Sequence, residues 1–322
     1  MIQRLSRLTH DLKLQDRLNR FGLTLFCSVF LSASTFGFEI SGDQVRYGVV
    51  SLTGEQAIAY SLHGKGSSLV FIHGWSMDSR VWLHQVAHFS KRYRVITIDL
   101  EGHGHSSRNR ENYTMPLFAQ DIKAVLDQER IENAVLIGHS MGGAVIAEAA
   151  KLMPDRISAI IGVDTLHDVA APLEQAELNA MVQPFELDFP LAMLEFVRES
   201  LPPNPNTKLV GWVTTDMASA PRNAAINQFR NYMNQYVTGE AADVFTFVGV
   251  PVMLINAQIW PTATESNSQR IKQYSNVFID GTGHFPMIER PEAFNNLLEQ
   301  VLDSIESEQD LQRRMDNLTN RQ

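Results

Sequence analysis

The chain has 322 residues, 44% hydrophobic and 20% charged, with a formal net charge of −9. That length holds one large α/β domain with an inserted subdomain, or two modest domains, and the balance is ordinary for a protein with a sizeable core. The acidic charge, with no Lys/Arg cluster in the body, argues against wholesale nucleic-acid binding.

Residues 1–38 stand apart. Arg4, Arg7, Lys13, Arg17 and Arg20 precede an apolar run from Phe21 to Phe30, and the small residues Ser32, Ala33 and Ser34 follow. This pattern predicts a secretory signal peptide, or else an uncleaved N-terminal membrane anchor, since about 18 apolar residues begin to reach across a bilayer. Both predict an exported body, periplasmic or secreted; an amphipathic helix packed on the domain is the plainer alternative. Loss of residues 1–34 takes away five basic and two acidic residues, which leaves a charge of about −12. The single cysteine, Cys27, lies in the apolar run. A body without cysteine excludes disulfides, thiol catalysis and cysteine-held metal.

Short β-branched runs then predict strands at Val45 to Leu52, Ala57 to Leu62, Leu69 to Ile72, Arg94 to Ile98, Ala134 to Ile137, Ile157 to Val163, Val252 to Ile255 and Val277 to Ile279. Most are continuously apolar, as strands covered on both faces are. Helical patterns at Tyr113 to Glu129 and Met141 to Leu152 alternate with the later runs. That order predicts an eight-stranded, mostly parallel sheet flanked by helices, with an antiparallel start.

The rhythm breaks between Asp164 and Gly249, where helical patterns punctuated by proline replace strands. A connection that long is an inserted domain or a lid. The expected division is a core of 39–164 and 249–305, a helical lid insertion of 165–248, and a polar C-terminal tail of 306–322 that reads as a solvated helix. Met181, Phe185, Phe189, Met193, Phe196, Trp212 and Met217 line a pocket in one reading and form the insertion's own core in the other.

The chemistry concentrates in Gly138-His139-Ser140-Met141-Gly142-Gly143, between an apolar strand and an Ala-rich helix. Glycines two before and two after a serine suit a sharp strand-to-helix turn that lifts the hydroxyl clear of the sheet. The helix N-terminus behind it favours developing negative charge. Three further motifs accompany it: Phe71-Ile72-His73-Gly74-Trp75, Asp99-Leu100-Glu101-Gly102-His103-Gly104-His105-Ser106, and Gly281-Thr282-Gly283-His284-Phe285-Pro286.

On these motifs the chain resembles the α/β-hydrolase family, over roughly Val45 to Asp303 with the insertion in the usual lid position. The resemblance implies an esterase- or lipase-like serine hydrolase acting through an acyl-enzyme. It implies Ser140 as nucleophile, His284 as general base, and the backbone N–H groups of Met141 and Trp75 as the oxyanion hole. His73, His103, His105 and His139 read as loop braces or pocket lining, and Trp260 joins His73 and His139 as candidate pocket residues.

The acid departs from the pattern. Where the family usually places an aspartate, this chain has Asn256-Ala257-Gln258-Ile259-Trp260-Pro261, with Trp260 at the aspartate's place. Asp164, ending an apolar strand, is the expected acid; Glu265 is the alternative, and an N-cap or turn role competes for Asp164. No cofactor or metal is expected. The expected partner is a small ester with an apolar acyl or alcohol part. C–C bond hydrolysis and cofactor-free perhydrolysis use the same triad. A non-catalytic ligand-binding protein on the same fold is the reading from another class.

Overall fold

The structure, a computed structural model, describes residues 45–52 and 54–319. The predicted signal or anchor of residues 1–38, with Cys27, lies outside the described residues. None of the described helices is long and apolar enough to cross a membrane.

Eight strands form one sheet: β1 (Arg46–Ser51), β2 (Ala57–His63), β3 (Ser68–Ile72), β4 (Arg94–Ile98), β5 (Ala134–His139), β6 (Ile157–Val163), β7 (Val252–Ala257) and β8 (Tyr274–Ile279). Their order is β1-β2-β4-β3-β5-β6-β7-β8. β1 pairs antiparallel with β2 and β2 with β4; every later pair is parallel. Burial explains the composition of the strands. β3 to β7 are buried through most of their length, whereas the edge strand β1 leaves Tyr47 and Val49 exposed. A strand covered on both faces needs continuous apolar side chains; an edge strand does not.

The core helices are α1 (Leu83–Phe89), α2 (Met115–Gln128) and α3 (Met141–Leu152). Five helices then fill the span between β6 and β7: α4 (Gln175–Leu187), α5 (Phe189–Glu199), α6 (Thr207–Ala218), α7 (Arg222–Thr238) and α8 (Glu240–Asp243). No strand interrupts them, as the sequence predicts. Last come α9 (Thr264–Arg270), α10 (Pro286–Glu289) and α11 (Pro291–Thr319). The polar tail therefore continues a helix that begins well inside the core.

Register brings the functional motifs together. Ile72 lies opposite Gly138, Gly138 opposite Gly162, and Gly162 opposite Leu254. Residues one or two positions beyond that row lie side by side at the carboxyl ends of these strands: His73 and Gly74, His139 and Ser140, Val163 and Asp164, Ile255 and Asn256. The order in which strands are added reverses between the parallel neighbours β3 and β5, because β3 leads outward to β4 while β5 starts the other half. Such a switch point opens a crevice at the carboxyl ends of the strands. Ser140 stands there.

Candidate active site

Ser140 leaves β5 at φ 53° and ψ −122° and caps α3. A serine held in that left-handed region costs of order 1–3 kcal/mol, so its surroundings must impose it. They do: its N–H donates to Val163 O at 3.0 Å, and its own carbonyl accepts from Gly143 N–H at 2.8 Å and the Thr165 hydroxyl at 2.6 Å. Ser76, Asp164 and Leu166 also have positive φ, so four of the six such non-glycine residues among those described gather at this end of the sheet.

The flanking glycines have a steric reason. A Cβ on Gly138 would fall 2.3 Å from Gly142 O, and one on Gly142 would fall 2.7 Å from His73 O and 2.8 Å from Ile72 O. These are backbone atoms fixed by α3 and by the end of β3, so they cannot yield as a side-chain tip would. Gly142→Ala is expected to destabilise the protein by about 1–3 kcal/mol. Urea unfolding checks this, and an unchanged midpoint would contradict so close an approach.

His284 sits in the loop after β8. Its Nδ1–H donates to Asp164 Oδ2 at 2.5 Å, and its Nε2 accepts from the Ser140 hydroxyl at 2.9 Å. Asp164 is buried, and its Oδ1 accepts the Ala257 N–H at 2.8 Å. Burial alone would raise the Asp164 pKa. The hydrogen bond and charge of His284, then His167 and the Ala257 N–H, outweigh it and hold the carboxylate below its usual range. Asn256, fully buried at the end of β7, fixes the neighbouring backbone: its side chain accepts from Thr165 N–H and donates to Thr165 O.

The loop after β3 runs alongside. A Cβ on Gly74 would fall 3.1 Å from Ser140 Cβ, so the Gly74–Trp75 backbone passes close to the serine. The Trp75 indole N–H donates to Ala225 O in α7 at 2.7 Å, and its ring contacts those of Phe185, Phe196 and Phe229. Its side chain thus ties the core to the inserted helices.

A cavity of about 570 Å³ opens onto Ser140 and His284. Aromatic rings dominate its wall: Trp75, Phe185, Phe196, Phe229, Tyr232 and Trp260. Trp260, at the place where the resemblance puts an aspartate, lies with its ring centroid 4.8 Å from that of His284. Of the insertion's apolar residues, Met181, Phe185 and Phe196 line the cavity, whereas Phe189, Met193 and Met217 are buried in the core. Each sequence reading holds for part of that group; Trp212 fits neither, since it is exposed on α6 away from the cavity.

Two candidate pocket residues are corrected. His73 and His139 lie outside the cavity and are almost wholly buried. His73 accepts from Leu100 N–H through Nε2, so its Nδ1–H donates to Gly74 O at 2.8 Å. Burial, and then the His284 ring, push His139 down to about 3; neutral, it donates its Nε2–H to His284 O at 2.7 Å. Both brace loops because strand register leaves them pointing into packed backbone. Glu265 lies exposed on α9, and Gln258 donates to Asp280 instead of His284.

Sequence reasoning missed three residues. His167 lines the cavity with Nε2 3.8 Å from Asp164 Oδ1. Asn256 sits in the strand-end run searched for a carboxylate, and its buried position after four apolar residues was the available signal. Glu289 accepts backbone N–H groups on both sides of His284.

The sequence pattern of the Alpha/beta hydrolase family matches residues 69–297. The AB hydrolase superfamily protein YisY of Bacillus subtilis is 27% identical over 75% of this chain and 93% of its own length. A pimeloyl-[acyl-carrier protein] methyl ester esterase of Aliivibrio salmonicida is 32% identical, over 47% of this chain and 58% of its own length. The 3-oxoadipate enol-lactonase 2 of Acinetobacter baylyi is 26% identical over 76% of this chain and 93% of its own. Among solved structures, a thermophilic esterase from Thermogutta terrifontis superposes with a TM-score of 0.69 at 22% identity, covering 81% of this chain and 99% of that one.

Proposed function

The chain belongs to the α/β-hydrolase family of enzymes, and on that premise we propose that it cleaves a carboxylic ester through an acyl-enzyme on Ser140. The observation that carries the reading is the unbroken chain from Ser140 through His284 to Asp164, at 2.9 and 2.5 Å, facing an apolar cavity. The methyl ester esterase and the enol-lactonase among its relatives agree with an oxygen ester.

The mechanism follows from the donors and acceptors. As Ser140 Oγ attacks the ester carbonyl, His284 Nε2 takes its proton, and Asp164 stabilises the imidazolium that forms. The carbonyl oxygen becomes an oxyanion between the Met141 and Trp75 N–H groups. Met141 is the first residue of α3, so its N–H has no intrahelical acceptor and the helix end favours negative charge. The imidazolium then returns the proton to the leaving alkoxide. Water, deprotonated by His284, releases the acid and restores Ser140.

The wall makes an apolar acyl or alcohol part the natural occupant. The inserted helices α4, α5 and α7 supply much of it, so they act as the lid over the site. The reading predicts covalent labelling of the folded protein by a fluorophosphonate probe, seen as a mass increase that disappears in Ser140→Ala. Folded wild-type protein that takes up no label would favour a binding role instead.

A further inference from the structure

The imidazole of His284 can serve Ser140 and Asp164 together only if its backbone is held, and it lies in a loop rather than in a strand or helix. Four backbone groups on three consecutive residues are engaged there. His284 N–H donates to Ser200 O at 2.7 Å, and His284 O accepts from His139. The other two, Gly283 N–H and Phe285 N–H, converge on a single side chain. Glu289 Oε1 accepts both, at 3.0 and 2.9 Å, and Oε2 accepts Gly283 N–H at 2.9 Å.

We infer that Glu289 is a positioning residue for His284: its carboxylate bridges the amides on either side and adds a negative charge that favours imidazolium during acyl transfer. The inference rests on the reading of His284 as general base. The geometry gives the reason. α10 begins directly after Phe285, and its last residue turns the carboxylate back over the loop. Arg290 closes the same loop from the other side by donating to Asp280 O at 2.9 Å. Burial holds the Glu289 pKa above the usual carboxylate range; the two N–H groups offset that only in part, the Asp164 charge adds to the rise, and His284 opposes it. That coupling links Glu289 to both members of the His284–Asp164 pair.

The charged and titratable groups around His284 are then Asp164 from the end of β6, His167 from the loop that follows, His139 from β5 and Glu289 from α10. Tyr232 from α7, with Glu195 and Glu199 from α5, lines the cavity it faces. Asp164 bonds the imidazole itself; Glu289 acts through the backbone and through its charge.

The test compares pH–rate profiles of wild type, Glu289→Gln and Glu289→Ala on a nitrophenyl ester. Glutamine keeps an oxygen that accepts both amides, but its NH₂ then faces the Gly283 N–H that Oε2 accepted, so kcat is expected within about fivefold of wild type. Losing the charge moves the acid limb of its profile to lower pH by about half a unit. Alanine loses the clamp, and kcat falls about 10- to 100-fold with little change in KM. A folded alanine variant with wild-type kcat overturns the inference, as does a glutamine variant whose acid limb does not move. If the alanine variant fails to fold, the glutamine profile alone decides. Ser140→Ala in the same series separates the two readings: full activity there overturns the mechanism, whatever Glu289 does.

Discussion

Ser140→Ala is expected to lower kcat on nitrophenyl esters by about 10⁶, the scale seen when a serine nucleophile is removed from a protease. The residue fits no alternative role whose loss would be milder. Its hydroxyl points to His284 Nε2, its backbone is held left-handed by Val163, Gly143 and Thr165, and the cavity opens onto it. Removing Oγ deletes one interaction and leaves those backbone bonds intact, so the fold is expected to persist and the loss to be chemical. Nucleophile and base act as a unit, so Ser140→Ala and His284→Ala combined should be barely worse than either alone. A residual rate above the uncatalysed one should remain, because the Met141 and Trp75 N–H groups still receive the carbonyl oxygen. Multiplicative loss in the double variant, or near wild-type kcat in Ser140→Ala, would overturn the assignment.

Much of this was legible in the sequence because covalent and steric necessity writes itself locally. The turn at Ser140 needs residues without Cβ at positions 138 and 142, and glycine is the only choice where a Cβ would fall within 2.8 Å of backbone. The strands were legible because sheet burial demands continuous apolar runs. Roles set by long-range packing were not. Whether His139 faces the cavity or the backbone depends on where the loop after β8 passes, 145 residues away in the chain. The insertion's aromatic residues could not be divided between wall and core, since that depends on how α4, α5 and α7 lie over the sheet. Glu289 is an ordinary helix glutamate until the loop folds back upon it.

Asp164→Asn is expected to cost about 10⁴ in kcat, by analogy with the same change in a serine protease. The environment here explains why so conservative a change should matter. Asp164 Oδ1 accepts the Ala257 N–H, and only an oxygen satisfies that position. An asparagine must therefore place its oxygen at Ala257 and its NH₂ toward His284. A donor facing Nδ1 reverses the imidazole tautomer, putting the proton on Nε2, where the Ser140 hydroxyl needs an acceptor. The buried negative charge that would stabilise imidazolium is lost as well. Glu265, exposed on α9, makes no such contact, so Glu265→Gln should remain within about twofold of wild type, as surface changes do. Parallel kcat measurements, with thermal melts to confirm folding, decide between the two carboxylates. A nearly active Asp164→Asn beside an inactive Glu265→Gln would move the acid from the end of β6 to α9.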